Sequence, residues 1–309
     1  MATQITYRPD HAGDWGEPAP ATGGRYDTGT LTLPDGVPLF FRTWLAPDTQ
    51  APVLYILHGL GAHTGWFIDM GNALNARGLS VYADDHRGFG RSGGPRGHVR
   101  RGGVYLDDAE RVVDEIQKRH PGAPVFVLGH SMGGIFAVHL AANDAASGRN
   151  RLAGLILLNP WIRDTANVSP RELAGILAGG ALGLEQPRRM AEGPEFMTTN
   201  PQADQMVKAD TYWVRSESAS FLFQITLLRT AVKKKARRVR VPALVLQSGQ
   251  DRSVVPEASR ACYEWLAATD KTWKTYPEYA HDAEFEGDRS AMDDDIADWI
   301  LRHSTRGSR

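Results

Sequence analysis

Short apolar runs recur along this chain, and their spacing restricts the fold more than any single residue does. PVLYIL (52–57), LSVYA (79–83), PVFVL (124–128), LAGLILL (152–158), PALVLQ (242–247) and KTWKTY (271–276) read as strands. Most are continuous rather than alternating, as strands buried on both faces of a parallel sheet must be. Helical patterns fall between them, at about 65–77, 103–119, 131–147, 256–268 and 288–303. That alternation predicts right-handed crossovers and an open α/β sheet covered by helices on both faces. Ahead of it, TGTLTLPDGVPLFFRTW reads as a hairpin turning at Pro34-Asp35-Gly36, preceded by an extended lead-in over 1–27.

The rhythm breaks once. Residues 160–240 contain helical pieces such as RELAGILAGGALGL and SESASFLFQITLLRTAVKKKARR, but no convincing strand. A structureless loop of that length does not suit a compact domain, so a helical insertion is expected there. The division that follows is a core of 1–159 and 241–309 with a helical cap, or lid, over 160–240.

Composition excludes several classes. The formal net charge is -1, which gives no electrostatic ground for a nucleic-acid partner. The densest basic run, Lys233-Lys234-Lys235-Ala236-Arg237-Arg238-Val239-Arg240, reads first as a solvated helix end, and second as a point of transient contact with an anionic membrane surface. The one cysteine, Cys262, lies in a helical stretch and reads as a small buried hydrophobe. The longest apolar stretch, 173–184, falls short of the roughly twenty residues a membrane span needs. A cytoplasmic protein is the expectation, and nothing in the pattern specifies an oligomeric state.

Gly129-His130-Ser131-Met132-Gly133 fits G-x-S-x-G, and so does Gly90-Arg91-Ser92-Gly93-Gly94. Context separates the two. A nucleophile elbow needs a buried strand before the serine and a helix directly after it, with small flanking residues that allow the tight turn. PVFVL precedes Ser131 and IFAVHLAAN follows it, whereas Ser92 lies in the glycine-rich loop DHRGFGRSGGPRG and reads as a turn residue.

A serine hydroxyl requires a base to take its proton, and the base requires a third group to fix its tautomer. In this architecture the order along the chain is nucleophile, acid, base. His281, in the loop TYPEYAHDAEFE after the last strand, is the expected base; His303 belongs to the end of the terminal helix. Asp251, in QSGQDRSVVP at the carboxyl end of a strand, is the favoured acid. Asp164, just after LAGLILL, competes with it, while Asp282 has the wrong chain order. The backbone N–H groups of Met132 and Leu60, the latter within His58-Gly59-Leu60-Gly61, are the expected oxyanion donors, with His58 hydrogen-bonded behind that loop.

Together HGLGAHTGWF, DHRGFGRSGG, GHSMGG, QSGQDRSVVP and His281 resemble the monoacylglycerol lipase and lysophospholipase branch of the α/β-hydrolase superfamily, from about residue 28 to 303. The resemblance implies a mostly parallel eight-stranded sheet with a helical cap inserted before the acid-bearing strand. It also implies a serine esterase or lipase acting through an acyl-enzyme, with no metal and no organic cofactor. Animal monoacylglycerol lipases usually carry a Glu and an Arg near the glycerol head where this chain has Ala62 and Trp66. These two positions are expected at the substrate, in a more apolar pocket mouth. The expected partner is a hydrophobic small-molecule acyl ester of medium or long chain; an amide, lactone or thioester hydrolase, or an acyltransferase, would use the same triad.

Overall fold

The apolar runs pair side by side into one sheet. The computed structural model describes residues 5–8, 26–165, 169–185, 187–189 and 197–304. In chain order the first strands are β1 (Ile5–Arg8), β2 (Asp27–Thr32), β3 (Pro38–Trp44) and β4 (Val53–Leu57), followed by helix α1 (Ile68–Ala76) and β5 (Ser80–Asp84). Next come α2 (Gly103–Arg119), β6 (Val125–His130), α3 (Met132–Ser147) and β7 (Leu152–Leu158). An intervening group follows: α4 (Pro170–Leu182), β8 (Pro187–Arg189), α5 (Pro201–Ala209), β9 (Ser216–Ser218) and α6 (Ala219–Ala236). The chain then completes the sheet with β10 (Ala243–Ser248), α7 (Pro256–Trp265), β11 (Lys271–Tyr276) and α8 (Ser290–Ser304).

The strand order is β1-β2-β3-β5-β4-β6-β7-β10-β11. Pairings from β5 onward in that order are parallel, and those among β1, β2, β3 and β5 are antiparallel. Eight of these strands make the mostly parallel sheet that the resemblance implies. The ninth, β1, lies within the stretch read as a lead-in and adds to the outer edge of β2. Four residues without an apolar period give no local signal, because what fixes them is pairing with a distant strand. Residues 1–4 and 9–25 of that lead-in lie outside the described residues. The insertion holds a second departure: β8 and β9 form a two-stranded antiparallel ribbon where only helices were expected.

Side chains of the central strands alternate between two cores. Val53, Tyr55, Leu57, Val125 and Val127 join the layer beneath α2, α3 and α7. Leu54, Ile56, Phe126 and Leu128 join the layer beneath α1 and α8, where Trp299 meets Phe126 edge to face. Both faces of the sheet are thereby dry, which is why these strands read as unbroken apolar runs. Cys262 is fully buried in the first core, and its thiol is pushed up to about 12 by that burial. Among the described residues, no helix is long and apolar enough to cross a membrane.

Candidate active site

The turn between β6 and α3 puts Ser131 in a left-handed backbone conformation, with φ 51°. Its N–H donates to the Leu158 carbonyl at 3.0 Å, and its own carbonyl accepts from Gly134 N at 3.0 Å and Trp161 N at 2.9 Å. Such a conformation in a residue other than glycine is costly and survives only where its surroundings over-determine it. The flanking glycines are forced by contact. A Cβ on Gly133 would lie 2.0 Å from the Leu57 carbonyl oxygen, and one on Gly129 would lie 2.3 Å from the Gly133 oxygen.

The turn presents the hydroxyl to the carboxyl end of the sheet, where two loops converge on it. His281 Nε2 stands 2.9 Å from Ser131 Oγ, and His281 Nδ1 stands 2.8 Å from Asp251 Oδ2. Asp251 is held in turn by the backbone N–H groups of Ser253 and Val254, at 2.9 and 3.0 Å on its other oxygen. Burial opposes a charged carboxylate there, but the His281 charge and hydrogen bond and the two backbone donors outweigh it and keep Asp251 below its ordinary range. For His281, burial disfavours the imidazolium; the Asp251 charge and hydrogen bond, with Asp282 and Glu284 behind, overcome it and raise His281 to about 9. The arrangement can move a proton from a hydroxyl to an imidazole and stabilise the resulting cation.

The competing residues are engaged elsewhere. Asp164 pairs with Arg229 and accepts from Trp161 Nε1 at 3.0 Å. His303 contacts the Trp299 carbonyl and Asp270 at the far end of α8. Ser92 donates to the Asp85 carbonyl and accepts from Phe40 N at 2.8 Å, so its hydroxyl ties a turn to the hairpin.

The loop 58–61 lies directly against the elbow, since a Cβ on Gly59 would approach Ser131 Cβ to 3.3 Å. Behind it His58 is buried and its tautomer is fixed. Nδ1–H donates to the Gly59 carbonyl at 2.7 Å, Nε2 accepts from His86 N at 2.9 Å, and the ring stacks on His86 with centroids 3.8 Å apart. Burial, followed by the neighbouring His86, pushes His58 well below the usual histidine range and keeps it neutral. Leu60 follows Gly59 in this loop, and Met132 is the first residue of α3, where the amides point out of the helix end. Ala62 and Trp66 are both buried. Trp66 donates its indole N–H to Asp210 Oδ2 at 2.8 Å, and His63 Nε2 meets the same oxygen at 2.6 Å. Trp66 is thus tied to the segment after α5, and Ala62 packs in the same buried cluster.

Three features of the site carried no signal that the sequence reading used. Asn159 hydrogen-bonds the His281 carbonyl, as does His130. Asp282 and Glu284 are buried beside His130, and burial pushes each up to about 7. Asp210 joins the insertion to the 58–66 loop. The Asn159-Pro160 dipeptide is a turn signal that could have marked the first of these. Among the described residues, His130, His281 and Asp282 could bring three ligand atoms together around a metal ion. Both ring nitrogens of His281 are already committed to Asp251 and Ser131.

A family model described as serine aminopeptidase, S33, matches residues 48–288. The human monoglyceride lipase is 32% identical over 80% of this chain and 80% of its own length. A monoacylglycerol lipase of Mycolicibacterium smegmatis is 29% identical over 87% of this chain and 94% of its own length. Among solved structures, a soluble variant of the Saccharomyces cerevisiae monoglyceride lipase in complex with a substrate analogue superposes with a TM-score of 0.77, at 20% identity, over 87% of this chain and 93% of that one. With that fold, and with a serine, a histidine and an aspartate hydrogen-bonded in series at the carboxyl end of its sheet, the chain belongs to the S33 family of α/β hydrolases and, as kin of the monoglyceride lipases, is a carboxylic ester hydrolase.

Proposed function

We propose that the chain hydrolyses lipid esters of the monoacylglycerol type, with medium or long acyl chains, through an acyl-enzyme on Ser131. The observation that carries the reading is the continuous hydrogen-bond series from Ser131 Oγ through His281 to Asp251, at 2.9 and 2.8 Å. Ser131 Oγ attacks the ester carbonyl carbon as its proton passes to His281 Nε2. The carbonyl oxygen takes up the displaced electron pair and is met by the Leu60 and Met132 N–H groups. Collapse expels the alcohol, which takes the proton from His281. Water, deprotonated by the same imidazole, then releases the fatty acid and restores the serine. Asp251 remains ionised throughout and fixes the His281 tautomer.

The apolar substrate class is supported by the lipase relatives and by the character of the insertion. Residues 160–240 act as a cap over a core of 1–159 and 241–309, with Ala62 and Trp66 in the wall between them. Leu173, Leu177 and Leu182 on α4 and Leu227 on α6 stand exposed, a surface suited to touching a lipid aggregate. A cytoplasmic location suits the single buried cysteine.

Replacing Ser131 with Ala should lower kcat on monoacylglycerols by about a millionfold and abolish fluorophosphonate labelling at that position. A panel of monoacylglycerols, lysophospholipids and amides assayed beside it fixes the substrate, and undiminished turnover by the variant overturns the reading. The base must be neutral to act, and Asp251 favours the protonated form. The acidic limb of kcat/KM is therefore expected above the ordinary histidine range, with activity falling about tenfold per pH unit below it. Asp251→Asn should move that limb to lower pH and cut kcat by about 10⁴-fold.

A further inference from the structure

We infer that Asn159 is a positioning residue, whose amide clamps the backbone of His281 and holds all three members of the proposed triad in register. This rests on the triad reading above. Asn159 is fully buried at the turn that leaves β7. Its Nδ2 donates to the His281 carbonyl at 2.7 Å and to Ser248 Oγ at 2.8 Å. Its Oδ1 accepts from Ser248 N at 2.7 Å, and its own N–H donates to the Leu246 carbonyl at 3.0 Å. Leu246 and Ser248 end the strand that delivers Asp251. The residue before Asn159 and the second residue after it complete the junction, since the Leu158 carbonyl and the Trp161 N–H bracket Ser131. One side chain thus contacts the base segment and the acid strand, from a turn whose backbone grips the nucleophile.

The contact with His281 acts on the main chain, so it sets where the imidazole is anchored without touching the ring. His130 Nε2–H supports the same carbonyl at 3.1 Å from the opposite strand, next to the nucleophile. Two donors on one carbonyl leave the His281 peptide little freedom to rotate. An error there is carried to the ring and lengthens both the bond to Asp251 and the bond to Ser131. Proton transfer is sensitive to such displacements. The charges and titratable groups around His281 are Asp251, Asp282, Glu284 and His130.

Asn159 also has φ 44°, a left-handed conformation that Asn and Gly tolerate best. A purely conformational role is therefore the rival, and Asn159→Gly separates the two. Glycine keeps the backbone without strain and deletes the amide. Asn159→Asp keeps an acceptor for the Ser248 N–H, deletes the donors to the His281 carbonyl and to Ser248 Oγ, and adds a carboxylate beside the base segment. If the clamp operates, both variants lose about 10- to 100-fold in kcat with KM unchanged within about twofold. In the glycine variant the acidic limb also moves to lower pH and the downfield proton resonance of the His281–Asp251 bond shifts, whereas the added carboxylate of the aspartate variant pulls the limb the other way. Rates are referred to folded protein, measured by thermal melt and by protein recovered in the native peak. A glycine variant with wild-type kcat and an unmoved limb overturns the inference, as does a loss that only tracks the folded fraction. The Ser131→Ala control keeps the two questions apart. If that control is inactive while Asn159→Gly is wild-type, the clamp alone falls; if the control turns over, the triad reading falls.

Discussion

α3 and α4 are both apolar, glycine-bearing helices with a serine at the N-cap, yet the fold uses them in opposite ways. Twelve of the sixteen residues of α3 are buried, whereas in α4 only Gly179 is. Ser169, ahead of α4, closes a complete capping box with Glu172, and Gly183 ends the helix in a left-handed turn. Ser131, ahead of α3, makes no side-chain cap. The exposed helix is specified locally, by its termini, and the buried one by the core around it. The missing side-chain cap costs stability at that end of α3, where the Ser131 carbonyl takes up the Gly134 N–H instead. On α4 the small residues press against α6, where a Cβ on Gly179 would meet Ala219 Cβ at 2.3 Å, and the leucines are left outside.

This contrast can be broken from the strong side first. Phe136 is fully buried in α3 and stacks on Tyr105 with centroids 5.2 Å apart. Phe136→Ala should cost about 3–5 kcal/mol of unfolding free energy, read from denaturant titration. Next comes the cap. Ser169→Ala should cost about 1 kcal/mol and leave kcat on a short soluble ester unchanged, the reverse of what Ser131→Ala does. The smallest effect on stability is expected at the exposed leucines. The pair Leu173→Ser and Leu177→Ser should stay within about 0.5 kcal/mol of wild type. Turnover on vesicle-borne monoacylglycerol should nevertheless fall while turnover on the soluble ester persists. Equal loss on both substrates would mean that α4 serves the core and not a lipid surface.

Elements with a local signature were legible. β7 and α2 occupy the ranges that their patterns predicted, because a buried strand or an amphipathic helix writes its own period, and the half-exposed edge strand β11 also falls where its run was read. The elbow was legible for the same reason, as strand, turn and helix are contiguous there. Features made by distant pairing were not. Ile5–Arg8 becomes a strand only against β2, and Pro187–Arg189 only against Ser216–Ser218. Asn159 reads locally as a turn residue before a proline, and its importance arises from contacts 89 and 122 residues away. Composition likewise could not tell that the apolar stretch 173–184 would face outward while 132–142 faced in.

The bridge at Asp210 couples two segments 147 residues apart in sequence. Its oxygens hold the His63 and Trp66 rings on one side and the Tyr212 N–H on the other, and the neighbouring Val214 N–H donates to the Gly61 carbonyl at 3.0 Å. The insertion is thus stitched to the same short loop that carries Leu60. Displacing residues 210–214 outward either severs these stitches or drags the loop along. The position of residues 210–214 and the main-chain geometry of the 58–66 loop are therefore mechanically one variable.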